Sequence, residues 1–408
     1  MVNSIEQPRP AAKILRSFAE FLVVAVCGGA LAFTAIGFII SIVSFRFVGS
    51  RDFVVFWATG QLAAHHGNPY DGDALTRVVH AAGLPSGGSI MYMRNLPSAL
   101  PLVYPLGFLG LWPASILWSI LLLGCLTTSV YLLWQMHGQP MNRRHWLGYS
   151  FGPALLCMIM GQTTLFALLG LVLFLRLHRS RPFLAGVSLW LCVLKPQLFL
   201  PFGVVLVVWV VISKSYRILA GAVVAIATSC VLVLLIDQHV WTQYSEMMSR
   251  SGIESEYIPC VSFLLRNWIS PGSVWLQYVP AAIGCIWGLG YFWARRKTWD
   301  WMKHGSLLML VSLVTAPYSW IYDAGVAIPA LLQGAYATRS RIMLAVLALL
   351  SALVEIALLG DAVKPSAIYL WTLWTAPAWL VWYLLANAIA SMRSQTERAG
   401  GELVEIGD

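Results

Sequence analysis

The chain has 408 residues, of which 59% are hydrophobic and only 11% charged, against roughly 25% charged in soluble domains. Apolar runs near the ~20 residues that cross a bilayer recur from end to end, which excludes a string of soluble domains. The net charge of +9, from 26 basic and 17 acidic residues, is spread over loops in a way that indicates membrane orientation rather than a nucleic-acid partner.

In chain order, the first apolar run at 18–44 is too long for a signal-peptide core, and no small-residue cleavage site follows it. It reads as a spanning helix. Further spans are expected at 114–136, 147–160, 163–177, 182–195, 197–212, 217–236, 274–294, 304–319, 321–337, 342–360 and 367–391, about twelve in all. Several are short and meet in pairs at Gly161-Gln162 and at Lys195-Pro196-Gln197. The segment 97–112 is apolar but interrupted by Pro101 and Pro105, so it reads as a re-entrant or interfacial piece.

The expected fold is therefore all-α: one integral membrane domain over 1–408, a polytopic helical bundle with two large outer loops at 45–113 and 237–273 and a tail at 392–408. Eighteen of the 26 basic residues fall on one face, around 9–16, 143–144, 176–181, 214–217, 295–303, 339–341 and 393–398. The positive-inside rule makes that face, with both termini, cytoplasmic. Helix-period stripes in the outer loops (Phe53, Phe56, Trp57 and Gly60; Val240, Trp241, Tyr244, Met247 and Met248; Val261, Leu264, Leu265 and Trp268) predict amphipathic helices lying in the headgroup layer or packed on neighbouring spans.

Asp52 stands where the first span leaves the bilayer. It, or Ser50 before it, suits a helix N-cap for a helix beginning near Phe53, and Asp52 also suits a catalytic base at the depth of a lipid phosphate. Arg51 beside it reads as a phosphate partner or an interfacial anchor. Lys195 lies within about 30 otherwise apolar residues, where a cation is costly unless it meets an anion or snorkels to the headgroups; Pro196 breaks the helix next to it. Gln162 in the other paired turn, and Tyr322 and Asp323 in Ala316-Pro317-Tyr318-Ser319-Trp320-Ile321-Tyr322-Asp323, reach the same outer face. Asn68-Pro69-Tyr70-Asp71 is a turn sequence. Glu355, an acid inside a late span, is expected to hydrogen-bond within the bundle. Seven cysteines and eight histidines show neither a disulfide framework nor metal-ligand spacing, so no metal or cofactor is expected.

These motifs, in this order, resemble the bacterial polyprenol-phosphate-mannose-dependent alpha-mannosyltransferases, glycosyltransferase family 87 of the GT-C superfamily. The resemblance rests on Asp52-Phe53 after the first span, Gly67-Asn68-Pro69-Tyr70, Val103-Tyr104-Pro105-Leu106 (where members commonly carry Tyr-Pro-Pro), Gly161-Gln162, Lys195-Pro196, and Pro317 to Asp323. It implies transfer of a sugar, mannose by family default, from a polyprenyl-phosphate donor to a lipid or glycan acceptor, on the outer face of a bacterial cytoplasmic membrane. By that pattern Asp52 is the general base. Lys195, then Arg94 or Arg266, would hold the donor phosphate, and Arg51, Tyr70, Tyr104, Gln162, Tyr322 and Asp323 would contact substrate. The rival reading is a transporter or flippase whose pathway Lys195 and Glu355 would mark, although no internal repeat accompanies it.

Overall fold

The computed structural model describes residues 10–44, 51–84, 90–251, 258–363 and 372–405. Among the described residues every regular element is helical. The longer helices are α1 (Pro10–Ser44), α2 (Arg51–Ala64), α3 (Gly72–Ala81), α4 (Leu111–Met136), α5 (Gly152–Met160), α6 (Thr164–Leu177), α7 (Pro182–Ser188), α8 (Leu200–Ile212), α9 (Tyr216–Ile236), α10 (Val240–Arg250), α11 (Val261–Ile269), α12 (Val279–Arg295), α13 (Trp301–Val314), α14 (Ile328–Ala337), α15 (Arg341–Val363) and α16 (Thr375–Glu405).

Among the described residues, three helices are long and apolar enough to cross a bilayer: Ser17–Gly37 within α1, then α4 and α9. Shorter apolar helices such as α6 and α13 fill the bundle. α1 packs on α15 and α5, α4 on α6, α7 on α9, and α8 on α12. Trp118, Phe174, Phe202 and Trp301 are almost wholly enclosed at the core.

The proline-interrupted segment forms three successive short turns, Pro97–Ala99, Leu100–Val103 and Tyr104–Phe108. A proline stands in the first positions of each, where its missing N–H costs nothing but the preceding helix must stop. These turns pack on α2 and α9. At the contact with α2, backbone meets backbone. A Cβ on Gly60 would lie 2.4 Å from the Val103 carbonyl oxygen, and one on Gly107 would overlap the Gly60 carbonyl.

Of the two arrangements expected for α2, that contact decides for packing on neighbouring elements. Thr59, Ala58 and Val54 are as enclosed as Phe53, Phe56 and Trp57, so α2 is embedded in the bundle rather than laid flat. α11 shows the opposite arrangement, with Leu264 and Trp268 exposed while Ser262, Phe263 and Arg266 turn inward. Its apolar stripe faces outward, as an interfacial helix requires.

Three expectations change. The range 304–319 is helical only to Val314, after which Thr315–Trp320 runs irregularly into the turn Ile321–Ala327. α16 continues to Glu405, so the expected tail at 392–408 is largely helix. Glu355 is buried with its Oε1 unpartnered, which is not the hydrogen bonding expected of it.

Candidate active site

The site is built by bringing three chain breaks to one end of the bundle. The first is the turn between α5 and α6. Gly161 ends α5 in the left-handed region at φ 70°, a conformation that favours glycine, and its carbonyl accepts the Trp118 indole N–H at 2.7 Å. A Cβ here would lie 2.5 Å from the Cβ of Phe53. The missing side chain is what lets the first turn of α2 dock on this loop, with Phe53 and Phe56 against Trp118. Asp52 lies within that first turn. The helix thus starts earlier than Phe53, and Asp52 is not the residue preceding it; the positive end of the helix favours a carboxylate there.

The second break is Lys195, whose backbone (φ −140°, ψ 65°) leaves the helix ahead of Pro196. The third is the run from Thr315 to Ile321. Together they join a buried ion pair, Lys195 Nζ donating to Asp323 Oδ1 at 2.6 Å. Thr164 Oγ1 donates to the same oxygen at 2.7 Å, and the Trp320 N–H donates to Oδ2 at 2.8 Å. Asp323 is wholly enclosed and Lys195 is 6% exposed. A lysine charge at this depth is tolerated because its counterion is fixed by two further donors. It does not snorkel.

Beside the pair, Lys195 Nζ sits 4.7 Å from the centre of the Tyr322 ring, and Gln162 Nε2 donates to the Tyr322 hydroxyl at 3.2 Å. Trp320 stacks on Tyr322 and donates its indole N–H to the Tyr318 hydroxyl at 2.7 Å. Asn95 Nδ2 donates to the Leu194 carbonyl at 3.1 Å, tying the Tyr92–Asn95 stretch to the lysine turn.

These groups enclose a cavity of about 300 Å³. Asp52, Arg94, Gln162, Lys195 and Tyr322 all line it, with Tyr92, Asn95, Gln197, Tyr244, Tyr318 and Trp320. Five of the residues expected from sequence therefore meet in one place. Tyr92 also lines an adjoining polar chamber of about 200 Å³, with Asp71, Asp73, Gln243, Glu246 and Arg250.

Other expected residues stand elsewhere. Asp323 lies behind the cavity wall, where its carboxylate is occupied by Lys195, Thr164 and the Trp320 N–H; it positions the lysine. Arg266 is buried against Gln277 Oε1 at 2.8 Å and over the Phe263 ring, away from the cavity, because α11 turns that face inward. Tyr104 packs edge-on against Phe108. Tyr70 is one layer back: its hydroxyl donates to the Asn95 carbonyl at 3.2 Å and its ring meets the lining Tyr244 edge-on at 5.3 Å. Burial, and secondarily Tyr244, hold the Tyr70 phenol well above its ordinary pKa, so it acts as a neutral donor. Ser50 and the Arg51 side chain lie outside the described residues. Asp71 caps α3, accepting from the Asp73 and Ala74 N–H groups, which accounts for the Asp71-Gly72-Asp73 spacing.

Tyr92, Asn95, Gln197 and Tyr244 are lining residues that sequence reasoning did not single out. Gln197, two places after Lys195 in the same turn, carried a usable signal; Tyr92 and Asn95, on irregular chain without a period, carried none. Among the described residues, no group of three His, Cys, Asp or Glu side chains converges as a metal site would require.

No curated protein and no solved structure matches the chain. A family model does, that of glycosyltransferase family 87, over residues 95–317. The matched stretch contains Asn95, Gln162, Lys195 and Tyr244, while Asp52, Arg94, Tyr322 and Asp323 lie beyond its ends and are joined to it by the geometry above. With more than half its length matched, the chain belongs to glycosyltransferase family 87 and is a membrane glycosyltransferase.

Proposed function

We propose that this enzyme moves a sugar, mannose by family default, from a polyprenyl-phosphate donor to a hydroxyl of a lipid or glycan acceptor, with Asp52 as general base and the cavity opening to the outer face of the cytoplasmic membrane. One observation carries the proposal: a carboxylate, two cations and a wall of aromatic and amide groups line a single cavity. The family match favours this over a transporter.

In the step itself, Asp52 takes the proton of the acceptor hydroxyl as that oxygen bonds to the anomeric carbon. The bond from that carbon to the phosphate oxygen breaks, and its electron pair leaves on the polyprenyl phosphate. A phosphate departs as a stable anion and needs positive charge rather than a proton. Lys195 and Arg94, which line the same cavity as the acid, supply it. Because Asp323 offsets much of the Lys195 charge, Arg94 ranks ahead of the sequence-based order and Arg266 drops out. A single base on one side of the sugar gives inversion. Trp320 and Tyr322 offer faces for the sugar ring, and the polar chamber beyond Tyr92 suits a hydroxyl-rich acceptor. Holding a greasy donor and a polar acceptor in register supplies much of the remaining rate.

Asp52→Asn keeps the shape and removes the base. Sugar transfer in membranes supplied with polyprenyl-phosphate sugar should fall by roughly 10²–10⁴-fold, with folding and donor binding retained. Turnover near that of the unaltered enzyme would remove Asp52 from the role. Labelling of a cysteine at position 52 from the cell exterior tests the orientation; labelling only from the cytoplasm would reverse it.

A further inference from the structure

A second cavity, of about 420 Å³, lies far from the first and is lined by His178, Arg179, Pro182, Trp209, Lys214, Ser215, Arg217, Trp299 and Trp301. It gathers three chain turns, those after α6, after α8 and before α13. The same three helices carry the first cavity at their other ends: α6 starts two residues after Gln162, α8 follows the Lys195-Pro196 turn, and α13 leads to Tyr318. Fourteen residues of α6 separate the two ends, about 21 Å at 1.5 Å per residue. The two cavities therefore open on opposite sides of the bundle.

Its chemistry is one-sided. Three permanent cations, Arg179, Lys214 and Arg217, line it, and among the described residues no acid does; Asp300, the partner of Arg179, stands outside the lining. The rings of Trp209, Trp299 and Trp301 pack edge-on together and give the lining its apolar part. Immediately along the chain from lining residues, Phe183 and Leu184 on α7 and Val211 and Ile212 on α8 are exposed apolar side chains, as acyl chains beside the mouth would require.

We infer that this cavity is a binding site for the phosphate headgroup of an anionic phospholipid, on the face opposite the transfer site. Lys214 and Arg217 hold the phosphate charge, and the acyl chains follow α7 and α8 into the bilayer. The inference does not depend on the donor, acceptor or base proposed above.

The test is native mass spectrometry of the full-length protein, purified in detergent and offered phosphatidylglycerol, phosphatidylcholine or inorganic phosphate. The unaltered protein should retain phosphatidylglycerol in preference to phosphatidylcholine. Lys214→Ala/Arg217→Ala, both exposed positions, should weaken retention by about thirtyfold, the loss expected for two basic groups beside an anionic headgroup. Arg296→Ala/Lys297→Ala removes equal charge from the same face outside the cavity and should leave retention unchanged. Equal retention in the Lys214/Arg217 variant, equal loss in the Arg296/Lys297 variant, or binding of inorganic phosphate as tight as that of the lipid would each overturn the assignment.

Discussion

The two ends of α6, α8 and α13 are built from the same helices and differ in how charge is handled. At the Gln162 end, a carboxylate and two cations face one cavity, and the deeper cation is fixed to Asp323 with supporting donors. At the His178 end, cations line the cavity and no acid is among the described lining residues. A site that carries both signs of charge must hold its side chains in place, and the Lys195–Asp323 pair with its two supporting donors does that. Retaining an anion needs only surplus positive charge, so its site needs no such bracing.

Several substitutions would break or sharpen that contrast. The largest stability effect is expected from Asp323→Ala, which strands the Lys195 ammonium in the bundle and should cost about 3–5 kcal/mol in unfolding free energy. Lys195→Met/Asp323→Leu should recover most of that loss in denaturant titrations while transfer stays abolished. Loss of phosphatidylglycerol retention in this double variant would mean that the two ends are not independent.

Next comes Gly161→Ala. It forces a side chain into a left-handed turn and against Phe53, and should destabilise by about 1–3 kcal/mol. Because Phe53 adjoins Asp52, transfer should fall by more than lipid retention does; equal decline in both would point to general unfolding. A smaller effect is expected from Gln162→Ala, which deletes one hydrogen bond to Tyr322. It should cost about 0.5–1.5 kcal/mol, read as a fall of about tenfold or less in transfer rate. Smallest is Arg296→Ala/Lys297→Ala, an exposed pair whose loss should change unfolding free energy by no more than about 0.5 kcal/mol.

Much of the helical layout was legible because apolar runs and proline breaks act locally. The described parts of the expected spans are largely helical, and Lys195-Pro196 breaks the chain as the residue types dictate. The partner of Lys195 was not legible: Asp323 lies 128 positions on, and neither period nor composition links such residues. Both were assigned to substrate, yet one mainly serves the other. For Arg266, the stripe on α11 was read correctly, but nothing local tells whether a stripe faces lipid or core. Which of its two expected arrangements α2 takes was hidden for a related reason, since its cover comes from a turn more than 40 residues away. Asp52 lines the cavity, and it could be singled out because location along the chain, rather than pairing, marked it.

The glycines at 60, 107 and 161 have a consequence for when this enzyme becomes competent. α2 is made early, but two of the surfaces that receive it, at Gly107 and Gly161, are synthesised later, and the ion pair on the far side of the cavity waits for residue 323. A nascent chain carrying Asp52 therefore has no complete docking surface for α2 until residue 161 is made, and the proposed site stays unfinished until residue 323 arrives, so a product truncated before then would be inert rather than unregulated.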